Sequence, residues 1–432
     1  MGNFESKTPG SRKLFERAKK VLPGGVSYAM RALVPYPFFV KKAHGAKLTD
    51  VDGNIFTDYW VGHGALILGH SPKRVMDAVR RQIPNGTHIG LSHGLEVEMA
   101  ERICSLVPSA EMLRYCASGT EANMYCVRLA RAYTGRTGVV KMQGGWHGGY
   151  DGLHKGVTYP YNISESAGLL PATNADTTAI PYNDLEAARK ELWTKKYALL
   201  IVEPVLGAAG FITPEPGYLQ GLREACTETG TLLAFDEVIT GFRLAPGGGQ
   251  ELYGVKPDLT TLGKIMGGGF PVGALCGRAD ILEHIDHNKY KKPQERSAHG
   301  GTFTGNPITL TAGLATLDLL KDGKVYIDID RLGHRMREGL VDTFERNRVA
   351  ADVTGVGSVF AVHYQKGKVR NAGDTARNDM PMTQAYFAHM LDNNILYLSP
   401  NVSHCWLSSA HTREDVDAYL SATEEFVKGY KP

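Results

Sequence analysis

LLAFDEVITGFR, residues 232–243, and TLGKIMGGGF, residues 261–270, decide the fold. The apolar run Leu232 to Phe235 ends in two carboxylates, Asp236 and Glu237, followed by a Thr-Gly turn. A second segment, Asp258 to Leu262, leads into Lys264 and then Gly267-Gly268-Gly269. Each reads as a buried strand with its polar residue at the carboxyl end, where open α/β sheets receive ligands. Working outward, the same strand-then-polar-loop pattern recurs. Met112 to Cys116 runs into Ser118-Gly119-Thr120-Glu121 and a helix from Ala122 to about Tyr133. Gly138 to Met142 opens onto GGWHGGYDG, and Ala198 to Val202 ends in Glu203-Pro204. With a helix at Tyr218 to Thr229 and a strand at Val272 to Cys276, this is the alternating order of an α/β protein. Such an order predicts a mostly parallel sheet sandwiched by helices.

The flanks read differently. Residues 11–22 have helical spacing, and the short alternating runs around Asp52-Gly53 read as an antiparallel hairpin. Helices are expected at 72–83 and 95–106, and the stretch 157–176 is a long loop. Asn306 followed by Pro307 marks a helix start. We therefore expect a large domain over 61–324 and a smaller α+β domain from 1–60 and 325–432. The 432 residues suffice for this, with 43% apolar and 22% charged residues. A net charge of +3, with no basic block, argues against nucleic acid and membrane as partners. No apolar run is long enough to span a bilayer, and the N-terminus lacks a signal-peptide layout, so a cytoplasmic location is expected. The six cysteines form no CxxC pair and no metal-ligand spacing, so no metal is expected.

Several motifs carry chemistry, and each has a plainer reading beside it. Ser118 with Glu121 matches a capping box, yet Gly119, Thr120 and the free amides of a helix start also suit a phosphate. Trp146 and His147 could anchor the core, or the indole could cover a planar ring. Asp236 could cap a turn, but a carboxylate at the floor of a site is costly unless paired, and a pyridinium N–H would pair it. Val238, two residues on, lies on the same face and could pack under that ring. Most lysines are solvated, whereas Lys264 sits between an apolar strand and three glycines, a setting that desolvates an amine and makes it nucleophilic. A lysine and an acid on one rim match the needs of pyridoxal phosphate: an amine for a Schiff base and an anion for the ring nitrogen.

Taken together, SGTEA (118–122), GGWHGG (144–149), VEP (202–204), FDEVITGFR (235–243), LGKIMGGGFPVGA (262–274) and GGTFTGNP (300–307) resemble the signature set of class III aminotransferases of pyridoxal-phosphate fold type I. The resemblance runs from Leu22 to Thr412, and PGGVxxxxR, DVDGN and GHGALILGH resemble the branch holding glutamate-1-semialdehyde aminomutase and D-phenylglycine aminotransferase. It implies that Lys264 is the Schiff-base lysine and proton shuttle and that Asp236 pairs with the ring nitrogen. Ser118, Gly119 and Thr120 would hold the phosphate; Trp146, His147, Val238 and Glu203 complete the cofactor contacts. Thr302 matches a threonine that reaches the neighbouring subunit's phosphate, which implies a homodimer. Arg31 matches a carboxylate-binding arginine, with Tyr28 and His63 beside it in the substrate pocket. Tyr28, His63 and the segment Val402 to Trp406 depart from the aminomutase pattern, which has FEAGF at the last position. The implied activity is thus ping-pong transfer of an amino group from an amine or amino acid to a keto acid. Glutamate-1-semialdehyde 2,1-aminomutase is the alternative, with amino-acid racemisation behind it.

Overall fold

The computed structural model describes residues 4–163, 165–397 and 402–430; the outermost residues of the expected small domain, 1–3 and 431–432, lie outside them. The chain packs into two compact units, Met1–Pro72 with Ile327–Lys368 and Arg377–Pro432, and Lys73–Tyr326 with Val369–Ala376. Against the expected division, 61–72 fall in the first unit and 325–326 and 369–376 in the second.

The second unit is built on a seven-stranded sheet. Its order is Met112–Cys116, Gly273–Gly277, Leu259–Gly263, Leu232–Asp236, Tyr197–Val202, Gly138–Met142 and Thr177–Ile180. From Leu259–Gly263 to the Thr177–Ile180 edge all neighbours are parallel. Gly273–Gly277 runs antiparallel to both of its neighbours. The cause is the short link: residues 264–272 cannot make the crossover of a dozen or more residues that a parallel return needs. Alternation along the central strands separates two apolar layers. Leu200, Val202, Leu233 and Phe235 pack into one, while Leu199, Ile201, Leu232 and Ala234 pack into the other, under the helix Gly119–Thr134. Both faces are covered, so these strands read as unbroken apolar runs. The strand Thr177–Ile180 was absent from the sequence reading; the long loop ends at it.

The first unit has a four-stranded sheet in which Val40–His44, Lys47–Asp50 and Ile55–Asp58 form the expected antiparallel meander. Ile395–Leu396 adds a parallel strand beside Ile55–Asp58. A smaller antiparallel sheet joins Asp352–Thr354, Val359–His363 and Cys405–Trp406. Helices Met380–Asp392 and Arg413–Gly429 close one core with Phe56, Tyr59, Phe360, Tyr386 and Tyr419. The N-terminal helix is Pro9–Ala18, shorter at its end than the spacing predicted.

Candidate active site

The central strand pair brings its polar ends to one rim, with Asp236 registered opposite Thr261 on the parallel neighbour. Period-two alternation sends the two acids of the Asp-Glu pair to opposite faces. Asp236 points toward the helix Gly119–Thr134, where its Oδ2 accepts from Asn123 Nδ2 at 2.8 Å and from His147 Nδ1 at 2.7 Å. Its Oδ1 accepts from the Val238 amide at 3.0 Å. Burial pushes this carboxyl's pKa up, but the His147, Val238 and Asn123 donors outweigh it and hold Asp236 below its ordinary value. Burial likewise lowers the pKa of the His147 ring, against the pull of Asp236, so a neutral imidazole gives its Nδ1–H to a carboxylate. Glu237 is occupied elsewhere: it accepts from the amides of Gly249 and Gln250, from Gln250 Nε2 and from Thr240 Oγ1. It closes a turn and is no part of the rim.

Lys264 follows the neighbouring strand and opens the short 3₁₀ turn Lys264–Gly267. Its φ of +46° is a left-handed conformation that costs a side-chain-bearing residue about 1–2 kcal/mol, the kind of strain that gathers at functional sites. Burial lowers the amine's pKa; the carboxylates of Asp236 and Glu203 oppose that, and Arg243 adds to it. Glu203 is buried, accepting from the Trp146 amide at 3.3 Å and the Gly207 amide at 3.1 Å. Burial first, then the charge of Asp236, push it up to about 8.

Ser118 caps the helix as expected, but the reciprocal half of the capping box is displaced by one residue, to the amide of Ala117. Ser118 Oγ accepts from the Glu121 amide at 3.2 Å, and Glu121 Oε2 accepts from the Ala117 amide at 2.9 Å. One helix amide is thereby satisfied, and those of Gly119 and Thr120 point out of the helix end. Glycine is required at this end: a Cβ on Gly119 would fall 2.8 Å from Val238 Cγ2, and one on Gly148 would overlap Thr120 Oγ1. The GGWHGG segment therefore lies directly against the helix start. Trp146 is 41% exposed, its indole edge-on to His154. Thr302 is exposed in the segment before the helix Pro307–Leu320, which Asn306 caps through the Thr309 amide at 3.0 Å.

In the first unit, Tyr28, Arg31 and His63 come together on the wall of a cavity of about 510 Å³. Tyr28 stacks on His63 with centroids 6.3 Å apart, and His63 on Trp60 at 4.3 Å. Arg31 Nη1 donates to Ser27 Oγ at 2.9 Å. Thus the second unit gathers Ser118, Gly119, Thr120, His147, Glu203, Asp236, Val238 and Lys264, and the first unit gathers the residues expected to meet substrate. Two site residues were missed. Asn123 bridges Asp236 to Thr261, whose Oγ1 donates to Asn123 Oδ1 at 2.7 Å. Lys141 is fully buried under the GGWHGG segment, and a lysine inside the apolar strand Gly138–Met142 was the available signal.

A sheet with a buried lysine and an ionised aspartate at its carboxyl rim, beside a glycine-lined helix start, defines an enzyme class built to hold a phosphorylated aldehyde. Comparison with known proteins places it further. The aminotransferase class-III family matches residues 28–406. A glutamate-1-semialdehyde 2,1-aminomutase of Methanothermobacter thermautotrophicus is 44% identical, over 98% of this chain and 99% of its own. The β-phenylalanine aminotransferase of Variovorax paradoxus superposes with a TM-score of 0.87 at 35% identity, over 99% of this chain and 95% of that one. An omega-transaminase from Sphaerobacter thermophilus gives 0.91 at 31% identity, over 97% of each chain. The chain belongs to the class-III aminotransferases, pyridoxal-phosphate-dependent enzymes of fold type I. Among the described residues no helix is long and apolar enough to cross a membrane.

Proposed function

We infer that this enzyme is a glutamate-1-semialdehyde 2,1-aminomutase, exchanging an amino group and a carbonyl oxygen between neighbouring carbons of one molecule. The 44% identity across 98% of the chain carries this reading over the intermolecular ping-pong transfer expected from the sequence. The residues fit pyridoxal phosphate on structural grounds. Asp236 is held ionised by three donors, Lys264 is a desolvated amine, and Gly119 and Gly148 let Val238 and Thr120 pack closely at a helix start whose first amides suit an anion. When bound, the cofactor supplies an electron sink for the substrate carbon that loses its proton. Lys264 would hold the cofactor covalently and its Nζ would carry the substrate's proton, while Asp236 would keep the ring nitrogen protonated. The amides of Gly119 and Thr120 with the Ser118 hydroxyl would bind the phosphate, and Val238, Trp146, His147 and Glu203 would complete the residues that hold the cofactor. Thr302 is assigned to the phosphate of a second copy in a homodimer, and Arg31, Tyr28 and His63 to the substrate.

A second reading, intermolecular transamination, is favoured by the aromatic wall of Tyr28, His63 and Trp60. The 35% identity to a β-phenylalanine aminotransferase agrees with it. One assay separates them. Purified enzyme given the semialdehyde alone should form 5-aminolevulinate over many turnovers. Activity that appears only with a keto acceptor, at one keto product per amine moved, sinks the mutase reading in favour of the transaminase.

A further inference from the structure

The segment 143–156 carries Trp146 and His147 and is folded around one side chain that no role yet explains. Lys141 has no exposed surface. Its Nζ donates to three main-chain carbonyls of that segment: Gly145 at 2.9 Å, Leu153 at 3.0 Å and Lys155 at 2.8 Å. Three bonds from one nitrogen to three acceptors require the ammonium form, because a neutral amine has two N–H donors. The segment closes on itself where the Gly144 amide donates to Gly156 O at 2.8 Å, and its His147 Nδ1 reaches Asp236 on the rim.

We propose that Lys141 is a positioning residue: its buried ammonium is the core of the 143–156 loop and, through that loop, seats His147 on Asp236 and fixes the electrostatics of the cofactor site. An ammonium used only as packing could be exchanged for a hydrocarbon of the same length, whereas this one donates to three carbonyls, those of Gly145 and Leu153 through buried bonds and that of Lys155 through a part-buried one. The charged groups that face it are Glu203, Glu165 and Asp236, with His147 sensing its charge in turn. Burial pulls its pKa down to about 8, and those three carboxylates work against that.

The proposal rests on the pyridoxal phosphate reading, so the wild-type protein is the first control: if it takes up no pyridoxal phosphate, that reading fails and Lys141 is not the cause. With binding established, Lys141→Met, Lys141→Arg and Thr177→Val are compared. Thr177 Oγ1 donates to Gly152 O in the same loop at 2.7 Å, so its loss loosens the loop without removing a charge. Lys141→Met should weaken pyridoxal phosphate binding by tenfold or more in equilibrium dialysis. It should also shift the pH titration of the visible cofactor band upward by about half a unit or more, since a nearby cation has gone. Lys141→Arg should restore the titration, and Thr177→Val should leave it in place. A folded Lys141→Met protein with unchanged affinity and titration overturns the proposal, as does a Thr177→Val protein that reproduces the shift. Hydrogen exchange on the wild-type holoenzyme tests the clamp without any variant. The bonded amides of Gly144, Gly145, Leu153 and His154 should exchange more slowly than those of the long loop 157–163; exchange as fast as that loop overturns it.

Discussion

Replacing Asn123 by leucine tests whether the Asp236 carboxylate owes its state to the helix beneath it. Asn123 is 1% exposed, and leucine has its branched heavy-atom shape with bulkier methyl ends, so the change removes polar contacts while keeping the site filled. Three bonds go at once: the one to Asp236 Oδ2, the one from Asn123 Nδ2 to His147 O at 3.1 Å, and the one accepted from Thr261 Oγ1. A hydrogen bond to a charged group contributes about 1.5–3 kcal/mol, and each buried group left unpaired costs about 1–3 kcal/mol. Less the gain from an apolar side chain, the loss should be about 3 kcal/mol, read as the urea midpoint of the apoprotein. The Asp236 pKa should rise, since one of its three donors has gone, and the affinity for pyridoxal phosphate should fall with it. Thr261→Val supplies the internal check. It removes the hydroxyl that Asn123→Leu strands, so the double variant should be more stable than the sum of the singles by about 1 kcal/mol. A midpoint change worth less than 1 kcal/mol, or an additive double variant, refutes the account.

Other consequences follow from the same geometry. Lys264→Ala should give colourless protein without amine transfer, and Lys264→Gly should be about 1 kcal/mol more stable than Lys264→Ala because the φ of +46° then carries no Cβ; equal melting temperatures would contradict the strain. Gly148→Ala, at φ +87° and against Thr120 Oγ1, should cost about 3 kcal/mol, while Gly149→Ala, with nothing within 4 Å, should cost almost nothing. Glu203, raised from 4.5 to about 8, binds its proton more tightly folded than unfolded, so its contribution is fully present below pH 4.5 and is lost as pH rises to 8. Glu203→Gln should therefore flatten the fall in stability over that window; an unaltered pH profile would show that Glu203 is not the group responsible.

What the sequence made legible was set by where polarity interrupts an apolar run. Asp236 and Lys264 stand out because the strands before them are buried on both faces, so the first charge after each run marks the sheet's edge. Asp236 was chosen over Glu237 through the family resemblance; alternation alone separates two adjacent acids only once one face is known to meet the helix Gly119–Thr134. The strand Thr177–Ile180 stayed hidden for the opposite reason: four residues at a sheet edge carry too little pattern to separate from a loop. Asn123 and Lys141 escaped because a polar residue in a helix, or a lysine in a strand, is ordinarily solvated. Here both are buried, and their partners lie 113 residues away in one case and on a returning loop in the other. The charges proposed to do the chemistry therefore sit at chain positions where local pattern points to them. The groups that compensate those charges are recruited across the fold, since burying an ion requires a partner in space and places no demand on its neighbours in sequence. Chemistry was readable from the rim inward, and the support beneath it only from the packed structure.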